Sequence, residues 1–175
     1  MTRVTNVHPE AAEPIPWSRA TSQLERLEPR GGSGGPTCWL STSRPNARPH
    51  VAGVVGLWLD DTLYFVSGPA TRKARNLAAD PRCSFAISLP DLDLVLDGKA
   101  SGVTDPAILA RVAGVFNERG WPLTVTDGVL TAPFWAPTAP PPPWHLYAFT
   151  PEAALGVATA GGSGATRWDF TSGMS

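Results

Sequence analysis

Thr62–Arg82, TLYFVSGPATRKARNLAADPR, decides how the rest of the chain is read. Leu63 and Phe65 alternate with Tyr64 and Val66, and aromatic and β-branched residues of this kind suit a pleated, half-buried strand. Gly68-Pro69 breaks that strand. Thr71 is a good helix cap, and Ala74, Leu77 and Ala78 follow at the spacing of one helix face. Pro81 ends the helix, because the residue before a proline is pushed out of the α conformation. The first turn of this helix is unusual. Helix N-termini are electropositive and favour acids, yet this one carries Arg72, Lys73 and Arg75. A bound anion would reverse the sign of that arrangement, since the dipole, the free N–H groups, a hydroxyl and the cations would all point at it. The alternative is a solvated basic face paired with Asp80 or Asp91.

Strands extend outward from this stretch on both sides. Upstream, Thr37–Ser43 reads as a strand and Arg44–Arg48 as the turn after it. His50–Leu59 is an apolar, valine-rich run interrupted by Gly53 and Gly56, and Asp60-Asp61 forms a hairpin turn. Before these, Ser18 is a candidate cap for a helix over Arg19–Leu27, and Arg30–Pro36 is a glycine-rich loop. Residues 1–16 are expected to be a flexible tail. Downstream, Cys83–Leu89 and Leu92–Val103 read as strands, with Gly98 at a bulge or bend. Asp105-Pro106 opens a helix with an apolar stripe (Ile108, Leu109, Val112, Val115 and Phe116) that stops at Gly120. Asp127-Gly128 is a turn. Ala132–Pro143 is a polyproline-like loop able to wrap a neighbouring subunit. Trp144–Thr150 and Thr166–Phe170 are further strands, and Ala158–Gly164 is a linker. Six or seven strands and two or three helices favour an antiparallel barrel with peripheral helices: a mainly β fold in one domain over 17–170, with 171–175 as a short tail.

The chain has 175 residues, 42% of them hydrophobic and 17% charged, with a formal net charge of −1. These values fit a globular protein and exclude a general polyanion binder, so any anion site is local. Lys73 is one of only two lysines among 14 basic residues. An ammonium is a compact point charge where a guanidinium is a planar fork. Cys38 and Cys83 have no metal or redox spacing and read as buried thiols of a reducing cytoplasm. His8, His50 and His145 are scattered and no metal site is expected; Asp91, Asp93 and Asp97 read as solvent-facing. No hydrolase, P-loop or dinucleotide fingerprint is present, so redox chemistry here would need a bound organic cofactor.

The run PHVAGVVGLWLDDTLYFVSGPATRKARNLAADPRCSF, followed by LVLDGKASGVTDPA, NERGWP and ATRWDF, resembles the split-barrel flavin- and deazaflavin-binding family related to pyridoxamine 5′-phosphate oxidase. The resemblance implies a six-stranded antiparallel split barrel, a homodimer, and an FMN or coenzyme F-420 cofactor in a groove between subunits. It implies that Thr71, Arg72 and Lys73 hold the cofactor phosphate, with Ser67 and Asn76 beside them. Val54 and Val55 would offer their backbone to the ring system, and Arg167 and Trp168 would reach the groove. This chain departs from the family in lacking a glycine in the turn before Pro49-His50, in Gly53 where many members have proline, in Asp97 for glutamate, and in Asp93 near where flavin oxidases carry glutamine. The last change favours the deazaflavin, hence an F-420-dependent oxidoreductase passing hydride to a small unsaturated molecule. Arg44, Arg48 or Arg75 would serve the acidic tail of that coenzyme. Tyr64 and His50 are the candidate proton donors. An FMN enzyme of the same fold is the alternative, and a carrier of flavin, deazaflavin or haem is another, with His50 or His145 as haem ligand.

Overall fold

A computed structural model of the chain describes residues 2–7, 13–27, 36–133, 140–161 and 164–170. In chain order the elements are β1 (Thr2–Asn6), α1 (Trp17–Leu24), β2 (Cys38–Ser43), β3 (Pro49–Val54), β4 (Gly56–Leu59), β5 (Thr62–Ser67), α2 (Arg72–Ala79), β6 (Arg82–Ser88), β7 (Leu92–Gly102), α3 (Pro106–Glu118), β8 (Thr124–Thr126), β9 (Val129–Thr131), β10 (His145–Ala158) and β11 (Ala165–Phe170). Turn chemistry sets several of the junctions. Asp60 and Asp61 both adopt positive φ, 49° and 54°, as a two-residue hairpin between β4 and β5 demands. Asp127 and Gly128 do the same between β8 and β9, at 51° and 77°.

The main sheet is antiparallel throughout, in the order β1-β11-β10-β7-β6-β2-β3. Strand β10 is its fork. The residues His145–Phe149 pair with β5, while Ala153–Val157 pair with β11. Strand β7 occupies the opposite edge along nearly the whole length. The register slips between Pro151 and Ala153, so Glu152 is bulged out where the two halves part. The expected mainly β, antiparallel architecture is present, and in place of six strands the main sheet is an open, forked one of nine among the described residues. Two causes raise the seven strand segments read along the chain to nine. The valine run divides at Val55 into β3 and β4, and Thr2–Asn6, expected as irregular tail, pairs with β11 from Thr2↔Phe170 to Asn6↔Thr166.

Other expectations shift for local reasons. The first helix starts after Pro16 with no side-chain cap, so Ser18 lies inside it. Gly98 does not bulge. It lies opposite the bulge, where a Cβ would overlap the Thr150 carbonyl oxygen. The last strand pair is longer than read, because β10 continues to Ala158. In the proline-rich segment, residues 134–139 lie outside the described residues, as do 28–35 of the glycine-rich loop.

Two cores flank the β4-β5-β10 region. One gathers Leu40, Phe65, Phe85, Leu96, Phe149 and Trp168, with Ala20 and Leu24 of α1 packed among them. The other joins Leu57, Leu146 and Trp144 to Leu109, Val112 and Phe116 of α3. The alternation of β5 sorts its residues accordingly: Leu63 and Phe65 enter the first core, Tyr64 and Val66 the second. Among the described residues no helix is long and apolar enough to cross a membrane.

Candidate functional site

Strand β5 delivers its last residue, Ser67, to the turn that starts α2. Thr71 has extended φ and ψ of −73° and 156°, and its Oγ1 accepts a hydrogen bond from the Ala74 amide at 3.3 Å. The same oxygen lies 2.8 Å from Ser67 Oγ. The pair of hydroxyls thus marks the point where strand becomes helix. Helix α2 is fixed from behind by Asn76, which is buried and donates from Nδ2 to Thr42 Oγ1 of β2 at 2.9 Å. Asn76 holds the helix in place from within the protein, and its amide points inward.

The cations stand around this point. Arg72 is exposed and Lys73 is half-buried, where burial lowers the affinity of its amine for a proton. Arg75 turns back and donates to the Ala70 carbonyl at 2.9 Å. From the β2–β3 turn comes Arg44, and from β3 comes His50. Arg44 Nε and His50 Nδ1 are both sealed from solvent with no hydrogen-bond partner. The His50 ring is held below its ordinary proton affinity first by burial, then by the charges of Arg44, Arg72 and Lys73. Five ion pairs form among the described residues, Arg19 with Asp91 and Arg82 with Asp80 among them, and none involves Arg44, Arg72 or Lys73. The basic-face alternative named Asp80 and Asp91 as partners for these cations. Both carboxylates are engaged elsewhere.

The remaining candidates divide. Val54 packs on the first core and Val55 on the second, at the break between β3 and β4. Among the described residues β3 ends the ladder, with no strand paired to its outer edge. Tyr64 faces the α3 side, across β5 from Ser67, and is not brought to the site. Arg167 is exposed and pairs with Asp169 at 2.7 Å. Trp168 is fully buried against Trp17, with ring centroids 5.2 Å apart, and offers no surface to a ligand. Both lie beside the second half of β10, whereas Ser67 lies beside the first. The expected approach of Trp168 to the groove therefore gives way to a core role. His145, the register partner of Ser67, joins the site's rim; a strand-end histidine carries no sequence signal for that.

A band of apolar side chains crosses the outer face of the sheet next to β3. Val51 is 57% exposed, Trp39 51% and Val157 44%, with Val95 between at 38%. The register Trp39↔Ala86↔Val95↔Leu155 keeps the band continuous.

Comparison with known proteins matches this geometry to a family. The family pattern described as pyridoxamine 5′-phosphate oxidase matches residues 33–128. Among solved structures, a pyridoxamine 5′-phosphate oxidase-related, FMN binding protein from Nostoc punctiforme superposes with a TM-score of 0.61 at 18% identity, over 92% of this chain and 94% of its own. A FAD-binding protein from Mesorhizobium loti gives 0.55 at 16% identity, over 97% and 99%. An F-420 reductase gives 0.50 at 22% identity, over 76% and 93%. A comparison with curated proteins finds no match. The matched segment covers more than half of the chain and includes β2 to α3, with the whole Ser67–Asn76 turn and helix. The chain belongs to the pyridoxamine 5′-phosphate oxidase family.

Proposed function

We propose that this protein is an oxidoreductase that holds a phosphate-bearing flavin or deazaflavin at the start of α2. Coenzyme F-420 is the first candidate and a small unsaturated organic molecule the substrate. The observation that carries this reading is the pair of cations, Arg72 and Lys73, in the first turn of α2 directly after the Thr71 cap, with no carboxylate partner among the described residues. The residues fit the group. Lys73 supplies a point charge, Thr71 and Ser67 supply hydroxyls, and the first amides of α2 supply donors along the helix dipole. When bound, such a cofactor supplies hydride transfer, and the protein supplies position and electrostatics.

The number of cations supports the deazaflavin. One phosphate is served by Thr71, Arg72, Lys73 and the helix, which leaves Arg44, Arg48 and Arg75 for the further negative charge of an acidic tail. FMN is the second reading, supported by the FMN binding protein that shares the fold. In both readings the functional unit is a homodimer. The open edge of β3 and the apolar band of Trp39 and Val51 support it, because a second chain over that face would wall an otherwise open groove.

Titration of the purified protein with F-420 and with FMN, read by absorbance and fluorescence, tests the assignment. Lys73→Ala is expected to weaken binding by about tenfold to a hundredfold, the weight of a charge-assisted contact. Equal affinity in the variant removes the phosphate site. Turnover of enones and quinones with the reduced cofactor separates an enzyme from a carrier.

A further inference from the structure

We propose that His145, at the start of β10, is a further binding residue of the anion site and donates a hydrogen bond to the ligand's phosphate. The proposal rests on the reading of Thr71 and Lys73 as a phosphate site and adds a second wall to it, the segment Pro140–His145.

Both ends of that segment meet the turn that starts α2. At one end, His145 is the register partner of Ser67. Residues directly opposite in an antiparallel pair share a face, with their Cβ atoms about 5 Å apart. Ser67 Oγ lies 2.8 Å from Thr71 Oγ1. The face that His145 shares with Ser67 is therefore the one onto which the cap of α2 folds. At the other end, Pro140 packs on Gly68. A Cβ at that glycine would lie 3.1 Å from Pro140 Cγ and 3.6 Å from Thr71 Cγ2. The bare Cα thus lets the proline ring come up beside the threonine.

Trp144 holds the segment in this position. Its side chain is buried in the core shared with α3. Its Nε1 donates to the Pro140 carbonyl at 3.0 Å, and its backbone exchanges two hydrogen bonds of 2.8 Å with Leu130. The backbone of His145 follows directly and is placed before a ligand arrives. The ring of His145 is exposed and makes no hydrogen bond or ion pair among the described residues. A neutral imidazole donates from one ring nitrogen and an imidazolium from both. Either form adds a donor from β10 to those that α2 supplies, namely the Thr71 hydroxyl, the Lys73 ammonium and the first amides of the helix. A group that accepts from both elements at once carries several acceptor oxygens and negative charge, which is the chemistry of a phosphate.

Titration of the full chain with F-420, FMN and inorganic sulfate tests this, the sulfate arm isolating the anion from any ring system. His145→Ala is expected to weaken binding of every probe that the wild type takes up by about tenfold, the weight of one hydrogen bond to a charged group. In the unaltered protein, the His145 ring signals in an NMR titration, assigned by their absence from His145→Ala, should shift and saturate with sulfate. Full affinity in His145→Ala, or ring signals that stay still at saturation, would overturn the proposal. Lys73→Ala distinguishes the two levels: full affinity in that variant sinks the phosphate reading, and the role of His145 with it. Loss of affinity there, with none in His145→Ala, sinks only the role of His145. Should no probe bind, both fall.

Discussion

Gly98 of β7 lies opposite Pro151 of β10, beside the bulge. A methyl group there would overlap the Thr150 carbonyl oxygen and lie 2.9 Å from Phe149 Cζ. One of these neighbours is backbone and cannot rotate away. Gly98→Ala is therefore expected to destabilise the fold by about 3 kcal/mol, at the upper end of overpacking costs, as read from chemical denaturation. The sequence shows that a glycine interrupts this strand, but not which chain makes room. The bulge is on β10, at Glu152. Side chains posed the same difficulty. Thr71 as cap and Lys73 beside it were legible from spacing alone. The inward commitment of Asn76 to Thr42, 34 residues away, and the burial of Trp168 depend on register and on partners outside the local sequence. A one-residue slip in register would exchange the faces of Arg167 and Trp168, and local sequence does not fix it.

Helix α3 shows what local chemistry does settle. Asp105 accepts from the amides of Ala107 and Ile108, at 2.8 and 3.1 Å, with Pro106 at the first helical position. Asp105→Ala is expected to cost about 1 kcal/mol, within the usual range for lost caps, and to lower the thermal midpoint without altering cofactor affinity. Both caps, the Asp60-Asp61 hairpin and the Asp127-Gly128 hairpin were readable because each depends on two to four consecutive residues. Strand lengths were not. Pro151 reads as an end to β10, yet the adjacent bulge accommodates a residue without an N–H and pairing resumes at Ala153. Strand β1 was missed because its partner, β11, lies at the other end of the chain.

For the whole molecule, the mainly β architecture was legible from hydrophobic alternation, whereas the fork at β10 was not. Which half of a long strand meets which partner is a tertiary choice. The apolar band over the outer face also emerges only once Val51, Trp39 and Val95 are brought into register from three separate stretches. With Trp39 51% exposed at its centre, that band is the proposed dimer surface. Sedimentation should find a dimer for the wild type and a monomer for Trp39→Asp, because a carboxylate buried at an interface without a partner is strongly unfavourable. A folded wild-type monomer would remove the dimer from the account. The cofactor site itself is tested most directly by a crystal structure of the protein grown with saturating F-420 or FMN. The account predicts the cofactor's phosphate within hydrogen-bonding distance of Thr71 Oγ1 and Lys73 Nζ. A cofactor bound with its phosphate elsewhere, and the start of α2 facing open solvent, would contradict it.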